Sequence, residues 1–134
     1  MKNITWDDSL SVDVEEINED HRRLVDLFNI LSHSVAEGES AYYIEAVLEE
    51  LINCTIWHFS HEERLMLLYK YEGFEDHKEE HGELIKGART LQAKFHQENK
   101  LLTNDDIDYL ANWLTEHIVG YDMNLGFYLM GVMK

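Results

Sequence analysis

The sequence predicts an all-α protein, an antiparallel up-down-up-down four-helix bundle with an ordered N-terminal arm. No proline occurs in 134 residues, although average usage would give about six or seven, and proline is excluded from helix interiors. Apolar residues recur at helical spacing in four successive stretches. Short connections between these stretches make neighbouring helices antiparallel. These three observations together favour a helical bundle over any fold that contains a sheet.

The N-terminal arm is predicted to cover residues 1–17. It lacks clear periodicity but carries apolar side chains that can pack on a core: Trp6, Leu10, Val12, Val14 and Ile17. The first helix is predicted to begin at Asn18, a favourable N-cap, and to end near Gly38. Its apolar stripe follows helical spacing: Leu24, Leu27, Phe28, Leu31 and Val35.

Capping signals delimit the later helices. Ser40 can cap a second helix whose apolar stripe runs as far as Tyr69 before Gly73 breaks it. A third stretch extends from His77 to about Asn99. Thr103 and Asp106 have the spacing of a capping box, so the fourth helix is predicted to start there and to continue to Leu129. We therefore expect a single domain over 1–134, with the bundle at 18–134.

The amino-acid composition makes some classes of binding partner unfavourable. The chain carries 27 acidic and 11 basic residues, a formal net charge of −16, and such a surface repels phosphate backbones and anionic lipid headgroups. We expect no nucleic-acid partner and no membrane insertion, because the sequence also lacks an apolar run of about 18 residues. Cys54 is the single cysteine and excludes an internal disulfide. With no signal-peptide pattern at the N-terminus, a cytoplasmic location is the expectation.

Seven histidine and acidic residues interrupt the apolar stripes of the four predicted helices. Two pairs have a four-residue spacing, which places both members on one helix face. A third pair has a spacing of five, so either the helical turn is widened there or the two residues approach the site from different sides. The residues are His21, the pair His58 and Glu62, the pair His77 and His81, and the pair His117 and Asp122.

The inward position of these residues predicts a metal site. A lone pair of histidines on a helix is more often structural or exposed, but here every predicted helix contributes to the set. Burying an ionised carboxylate among leucines is costly unless the group is paired or binds a metal, and neutral imidazole is the commonest metal ligand. We expect His33, His61 and His96 to be non-ligands. Cys54 is expected to be a core cysteine, with a redox-active or pocket-lining thiol as the alternative.

The combination resembles the hemerythrin family, particularly its bacterial single-domain members, over nearly the whole chain. The matching segments are Trp6, Ser11-Val12, Ile17-x-x-x-His21-x-x-Leu24, His58-Phe59-x-x-Glu62-Glu63-x-x-Met66, His77-x-x-x-His81 and Trp113-Leu114-x-x-His117-Ile118-x-x-x-Asp122. Two positions depart from the family pattern. Asp13 stands where a glycine is usual, and Asp20 stands where a glutamine commonly precedes the histidine.

The resemblance implies a pair of iron ions bridged by an oxo or hydroxo group. One iron would be bound by His77, His81 and His117 and the other by His21 and His58, while Glu62 and Asp122 would bridge them. If both irons are octahedral, this set leaves one position open, on the iron with fewer histidines. The resemblance implies that dioxygen binds there reversibly as a peroxide, for storage, transport or delivery.

The surroundings of the open position are also predicted. Leu24, Leu114 and Ile118 lie within about a turn of the ligands, and we expect them to line the dioxygen pocket and to exclude water. Dioxygen is the expected ligand, an oxygen-consuming protein is a candidate partner, and the oligomeric state is not indicated.

Several other functions stay open. Ferritin-like oxygenases use Glu-x-x-His motifs, which this chain lacks, so we expect a binding protein and not an enzyme. The alternatives are a di-iron enzyme that consumes peroxide or nitric oxide, a sensor of oxygen or redox state, and a bundle that holds zinc without oxygen chemistry.

Overall fold

A computed structural model describes residues 3–12, 14–97 and 102–133. After a short 3-10 turn at Asp8–Leu10, the chain forms α1 (Glu15–Ala36), α2 (Ala41–Leu68), α3 (Phe74–Gln97) and α4 (Asn104–His117), followed by a π-helical turn (Ile118–Asp122) and α5 (Met123–Val132). This confirms the all-α class. Asp13, one of the two departures from the family pattern, lies outside the described residues.

The helices form the predicted four-helix bundle. α1 packs against α2 and α2 against α3, while α4 closes the bundle by contacting both α1 and α3. α4, the π-helical turn and α5 together make the fourth helix of the bundle, which the sequence predicted as one helix. None of the helices in the described part of the chain combines the length and the apolarity of a bilayer-spanning segment.

The predicted start of the first helix is wrong. α1 begins at Glu15, with Val14 as its N-cap, and Asn18 lies buried inside the helix. The Asn18 side chain fastens the arm: its Oδ1 accepts from the Val12 backbone N–H at 3.0 Å, and its Nδ2 donates to Ser11 Oγ at 3.1 Å. The arm therefore ends before Glu15, because the asparagine bonds backward to the arm instead of capping the first turn.

The predicted caps of α2 and α4 are confirmed. Ser40 Oγ accepts from the Tyr43 backbone N–H at 3.2 Å. Thr103 and Asp106 form a full capping box, in which Thr103 Oγ1 accepts from the Asp106 N–H at 3.1 Å and Asp106 Oδ2 accepts from the Thr103 N–H at 2.9 Å. These bonds satisfy N–H groups that the first helical turn leaves without partners.

The arm is ordered by its contacts with the bundle. The backbone of Ile4 exchanges two hydrogen bonds with the Asn29 side chain on α1, each of 2.8 Å. Val12 is 1% exposed and packs on α5, where Gly126 allows the close approach. A Cβ added at Gly126 would lie 1.9 Å from the Val12 carbonyl oxygen. The arm can sit this close to α5 only because residue 126 has no side chain.

We predict that Gly126→Ala destabilises the fold by roughly 1–3 kcal/mol, the usual cost of overpacking, because the arm must move away from α5. Urea unfolding of the metal-free protein measures the loss. Gly82→Ala is the matched control, since Gly82 lies on an exposed face of α3 with open space around it, and alanine there should leave stability unchanged or raise it by up to about 1 kcal/mol. Equal stabilities of the two variants would contradict the close packing of the arm.

Candidate metal centre

Seven polar side chains meet in the interior of the bundle, and each is at most 4% exposed. They come from α1, α2, α3, α4 and the π-helical turn, and they are the seven predicted from the sequence: His21, His58, Glu62, His77, His81, His117 and Asp122. The structure brings all of them together. Interior positions for ionisable groups are costly unless the groups compensate one another or bind an ion.

The seven residues form two donor groups that share both carboxylates. His77, His81 and His117 have ligand atoms close to those of Glu62 and Asp122, and His21 and His58 form the second group with the same two acids. Within each group the atoms lie within 4.8 Å of one another. The interior therefore offers two adjacent cation positions, one with three histidines and one with two.

The two oxygens of each carboxylate face different groups. On the three-histidine side, Asp122 Oδ1 lies 3.0 Å from the Nε2 atoms of both His77 and His117. On the same side, Glu62 Oε1 lies 2.9 Å from His81 Nε2.

On the two-histidine side, the other oxygen of each carboxylate is presented. Asp122 Oδ2 lies 2.8 Å from His21 Nε2, and Glu62 Oε2 lies 3.1 Å from His58 Nε2. This is the orientation that a pair of carboxylates needs in order to bridge two ions, because each acid offers one oxygen to each position.

Many of these atoms approach one another without forming aligned hydrogen bonds. Within the described residues, the buried polar atoms that lack a hydrogen-bond partner include His21 Nε2, His58 Nε2, His117 Nε2, Glu62 Oε2 and Asp122 Oδ2. Leaving a buried polar group unsatisfied costs about 1–3 kcal/mol. Ring nitrogens and carboxylate oxygens that converge without N–H alignment are suited to a cation, which takes lone pairs from both.

The π-helical turn explains how two residues five apart reach one site. The Met123 N–H donates to the Ile118 carbonyl, a bond that spans five residues, so the turn is wider than in an α-helix. His117 directly precedes this turn and Asp122 is its last residue, and His117 Nε2 lies 3.0 Å from Asp122 Oδ1. Of the two possibilities that the sequence left open, the structure confirms the widened turn.

The histidines and carboxylates shift one another's titration. Burial by itself would raise the pKa of Glu62, but the positive charge of His58 and the nearby imidazoles of His117 and His21 hold that pKa well below its ordinary value. Burial would lower the pKa of His117, but the negative charge of Asp122, whose Oδ1 lies 3.0 Å from His117 Nε2, raises it to about 9. Protonated imidazoles are the positive partners of the buried acids when no metal ion is present.

A small cavity adjoins the two-histidine side. Its volume is about 10 Å³, close to the least space that holds one water-sized molecule. The three residues predicted for the dioxygen pocket all line it, alongside ligand candidates and further apolar groups: Leu24, Leu114, Ile118, His21, His58, His117, Asp122, Thr55, Phe59, Leu84 and Trp113. Both histidines of the two-histidine group border the cavity, but only His117 of the other group does.

Two residues near the centre were not predicted as participants. Asp20 Oδ2 accepts from His58 Nδ1 at 2.9 Å and from His61 Nδ1 at 2.6 Å. His61 lies three residues after His58, a spacing that shares a helix face, but its contact with α1 depends on helix rotation that the sequence does not encode locally.

His33 and His96 are exposed, as expected. The Cys54 thiol is half-buried, and burial raises its pKa.

The metal-free protein should lose stability as the pH rises through about 9. His117 has a folded pKa above its ordinary value of 6.5, so its stabilising contribution is complete below about pH 6.5 and disappears as the proton is lost. Urea midpoints of chelator-treated protein at pH 6 and pH 9 measure the effect. His117→Gln should reduce the difference, whereas His33→Gln, at an exposed position, should preserve it. A higher midpoint at pH 9 would refute the coupling.

Comparisons with known proteins agree with this geometry. Residues 12–126 match the family model of the hemerythrin HHE cation binding domain. A bacteriohemerythrin of Methylococcus capsulatus is 30% identical over 127 residues, which cover 94% of this chain and 96% of that protein. A hemerythrin-like protein of Naegleria gruberi is 32% identical over 118 residues, covering 88% of this chain and 87% of that protein.

A solved structure shows the same fold. The crystal structure of a wild-type hemerythrin matches with a TM-score of 0.87 and 30% identity, covering 95% of this chain and 98% of that chain. The family match spans most of the chain, and all seven convergent side chains lie within it. The chain belongs to the hemerythrin family of cation-binding domains.

Proposed function

We propose that this protein is a non-haem di-iron protein that binds dioxygen reversibly, for storage, transport or delivery. The observation that carries the proposal is the division of the two buried carboxylates, each of which offers one oxygen to a three-histidine group and one to a two-histidine group. In this proposal dioxygen is the small-molecule ligand, and an oxygen-consuming protein is the recipient.

The donor set suits iron. Imidazole and carboxylate ligands fit divalent and trivalent iron. One divalent ion would balance the charge of the two acids, but it could not contact both donor groups, because each carboxylate presents one oxygen to each group. Two ions that share Glu62 and Asp122 would satisfy all four carboxylate oxygens. His77, His81 and His117 would hold one ion, and His21 and His58 would hold the other.

The two donor groups differ in their number of histidines, and this difference would leave a coordination position for an external ligand. An ion held by His21 and His58 would have one histidine fewer than its neighbour, so it could take an external molecule as a ligand. The cavity borders this same side, and its volume is close to the least space that holds one water-sized molecule. When bound, a ferrous pair supplies electrons that dioxygen binding draws on and that return to the irons when dioxygen leaves.

The chain's own residues would keep this exchange reversible. Leu24, Leu114 and Ile118 are at most 4% exposed and line the cavity, so they exclude the water that would deliver protons to bound oxygen. A predominance of neutral imidazoles over carboxylates favours the ferrous state, to which the pair would return when dioxygen leaves unchanged.

The proposal is tested by visible spectroscopy of the anaerobic, ferrous-loaded protein. We expect a charge-transfer band to appear when dioxygen is added and to vanish when it is removed, at two irons per chain. Irreversible oxidation on first exposure would instead favour a redox enzyme or an oxidation-state sensor. Retention of zinc in preference to iron, with no oxygen-dependent band, would exclude oxygen chemistry.

Leu114→Ala should speed autoxidation, because a smaller side chain admits water beside the two-histidine group. Leu31→Ala is the matched control: Leu31 is a fully buried leucine of α1 that is not among the cavity residues. Both variants should lose roughly 2–5 kcal/mol of stability. The decay of the oxygen-bound spectrum measures the rate, and equal rates in the two variants would remove Leu114 from a water-excluding role.

A further inference from the structure

A second cluster of polar side chains lies beside the two-histidine group. Asp20 on α1 is 7% exposed, and its Oδ2 accepts hydrogen bonds from two α2 residues, His58 at 2.9 Å and His61 at 2.6 Å. The Asp20 carboxylate is therefore nearly withdrawn from solvent and has two imidazole rings as its hydrogen-bond partners.

The cluster is unsuited to a metal ion of its own. Asp20, His58 and His61 have ligand atoms within 4.8 Å of one another, but His58 has its Nε2 directed at Glu62 Oε2, 3.1 Å away. An imidazole that coordinates through Nε2 keeps its proton on Nδ1, and that proton is the one donated to Asp20. Without His58, only Asp20 and His61 remain from this set, too few to hold an ion.

We infer that Asp20 is a positioning residue for the candidate ion of the two-histidine group, acting through His58. Asp20 accepts the Nδ1–H of His58, which fixes the tautomer, aims Nε2 into the centre and makes the imidazole a stronger donor. Its negative charge stabilises the more highly charged state of the ion, and the second bond from His61 holds the carboxylate in place. This inference rests on the proposed function, because it assumes that the centre is loaded.

The three-histidine group has a weaker counterpart. Glu63 Oε2 accepts from His81 Nδ1 at 2.9 Å, but the Glu63 side chain is 25% exposed. The Nδ1 atoms of His21, His77 and His117 have no hydrogen-bond partner among the described residues. Each ion position therefore has one histidine supported by a carboxylate, and the more buried Asp20 should act more strongly because solvent screens it less.

His61, the second hydrogen-bond partner of Asp20, lies close to the protein surface. Its ring lies 5.6 Å from the half-exposed Trp57 ring, and its side chain is 9% exposed. Its Nε2 lies 3.7 Å from Glu16 Oε2, too long for a hydrogen bond. The strong contact of His61 is with Asp20, so its role here is to orient that carboxylate.

The test compares iron release from ferrous-loaded wild type, Asp20→Asn and Glu63→Gln under anaerobic conditions. Transfer to a ferrous chelator is followed over time with two irons per chain at the start. Asp20→Asn should accelerate release of one of the two irons by about 10–100-fold, the usual effect of losing such a partner. Glu63→Gln should accelerate release of the other iron, and by a smaller factor. The double variant should show both accelerations.

A second readout separates charge from structure. The reduction potential of the centre should rise in Asp20→Asn, because removal of a nearby negative charge favours the ferrous state, and it should rise less in Glu63→Gln. His61→Phe retains Asp20 but removes its second hydrogen bond, so it should give a smaller acceleration of release of the same iron. Circular dichroism and urea unfolding of the metal-free variants confirm that each one is folded.

The outcomes separate this inference from the proposed function. Failure of the wild type to take up two irons would overturn the proposed function. Normal loading of the wild type, with release and potential unchanged in Asp20→Asn, would overturn the positioning role alone. Equal acceleration of both irons in Asp20→Asn would also overturn it, since that result indicates general loosening of the bundle.

Discussion

Two carboxylates without solvent exposure, Glu62 and Asp122, set the constraint on which the rest of the centre depends. Removing each ion from water costs several kcal/mol even after relaxation, and an apolar bundle offers no compensation by itself. Five buried histidines supply it, drawn from α1, α2, α3 and α4. Because no helix provides these partners alone, the centre depends on the four-helix arrangement.

Helix geometry determines how each histidine or carboxylate side chain reaches the centre. His58 and Glu62, and likewise His77 and His81, lie one turn apart on one helix face. The fourth helix meets the same requirement differently, with a π-helical turn that lets His117 and Asp122 contact the same site. The N-terminal arm adds a further restraint on the fourth helix, because Val12 packs against Gly126 on α5, the helix that directly follows that turn. The π-helical turn thus lies where the centre needs it.

Much of this could be predicted from the sequence. The bundle, the Ser40 cap and the Thr103 capping box follow from local patterns, and the seven convergent residues follow from polar groups on apolar faces. Local patterns were insufficient for Asn18, whose capping propensity serves the arm and not the helix. They were equally insufficient for Asp20 and His61, since a contact between α1 and α2 depends on how the two helices are rotated.

The central claim is that two ions share Glu62 and Asp122. Anomalous diffraction at the iron edge, from crystals of the iron-loaded protein, tests it most directly. We expect two anomalous peaks within the bundle, one beside His77, His81 and His117 and one beside His21 and His58, with both carboxylates between them. A single peak, or a peak bound by only one of the two carboxylates, would contradict it.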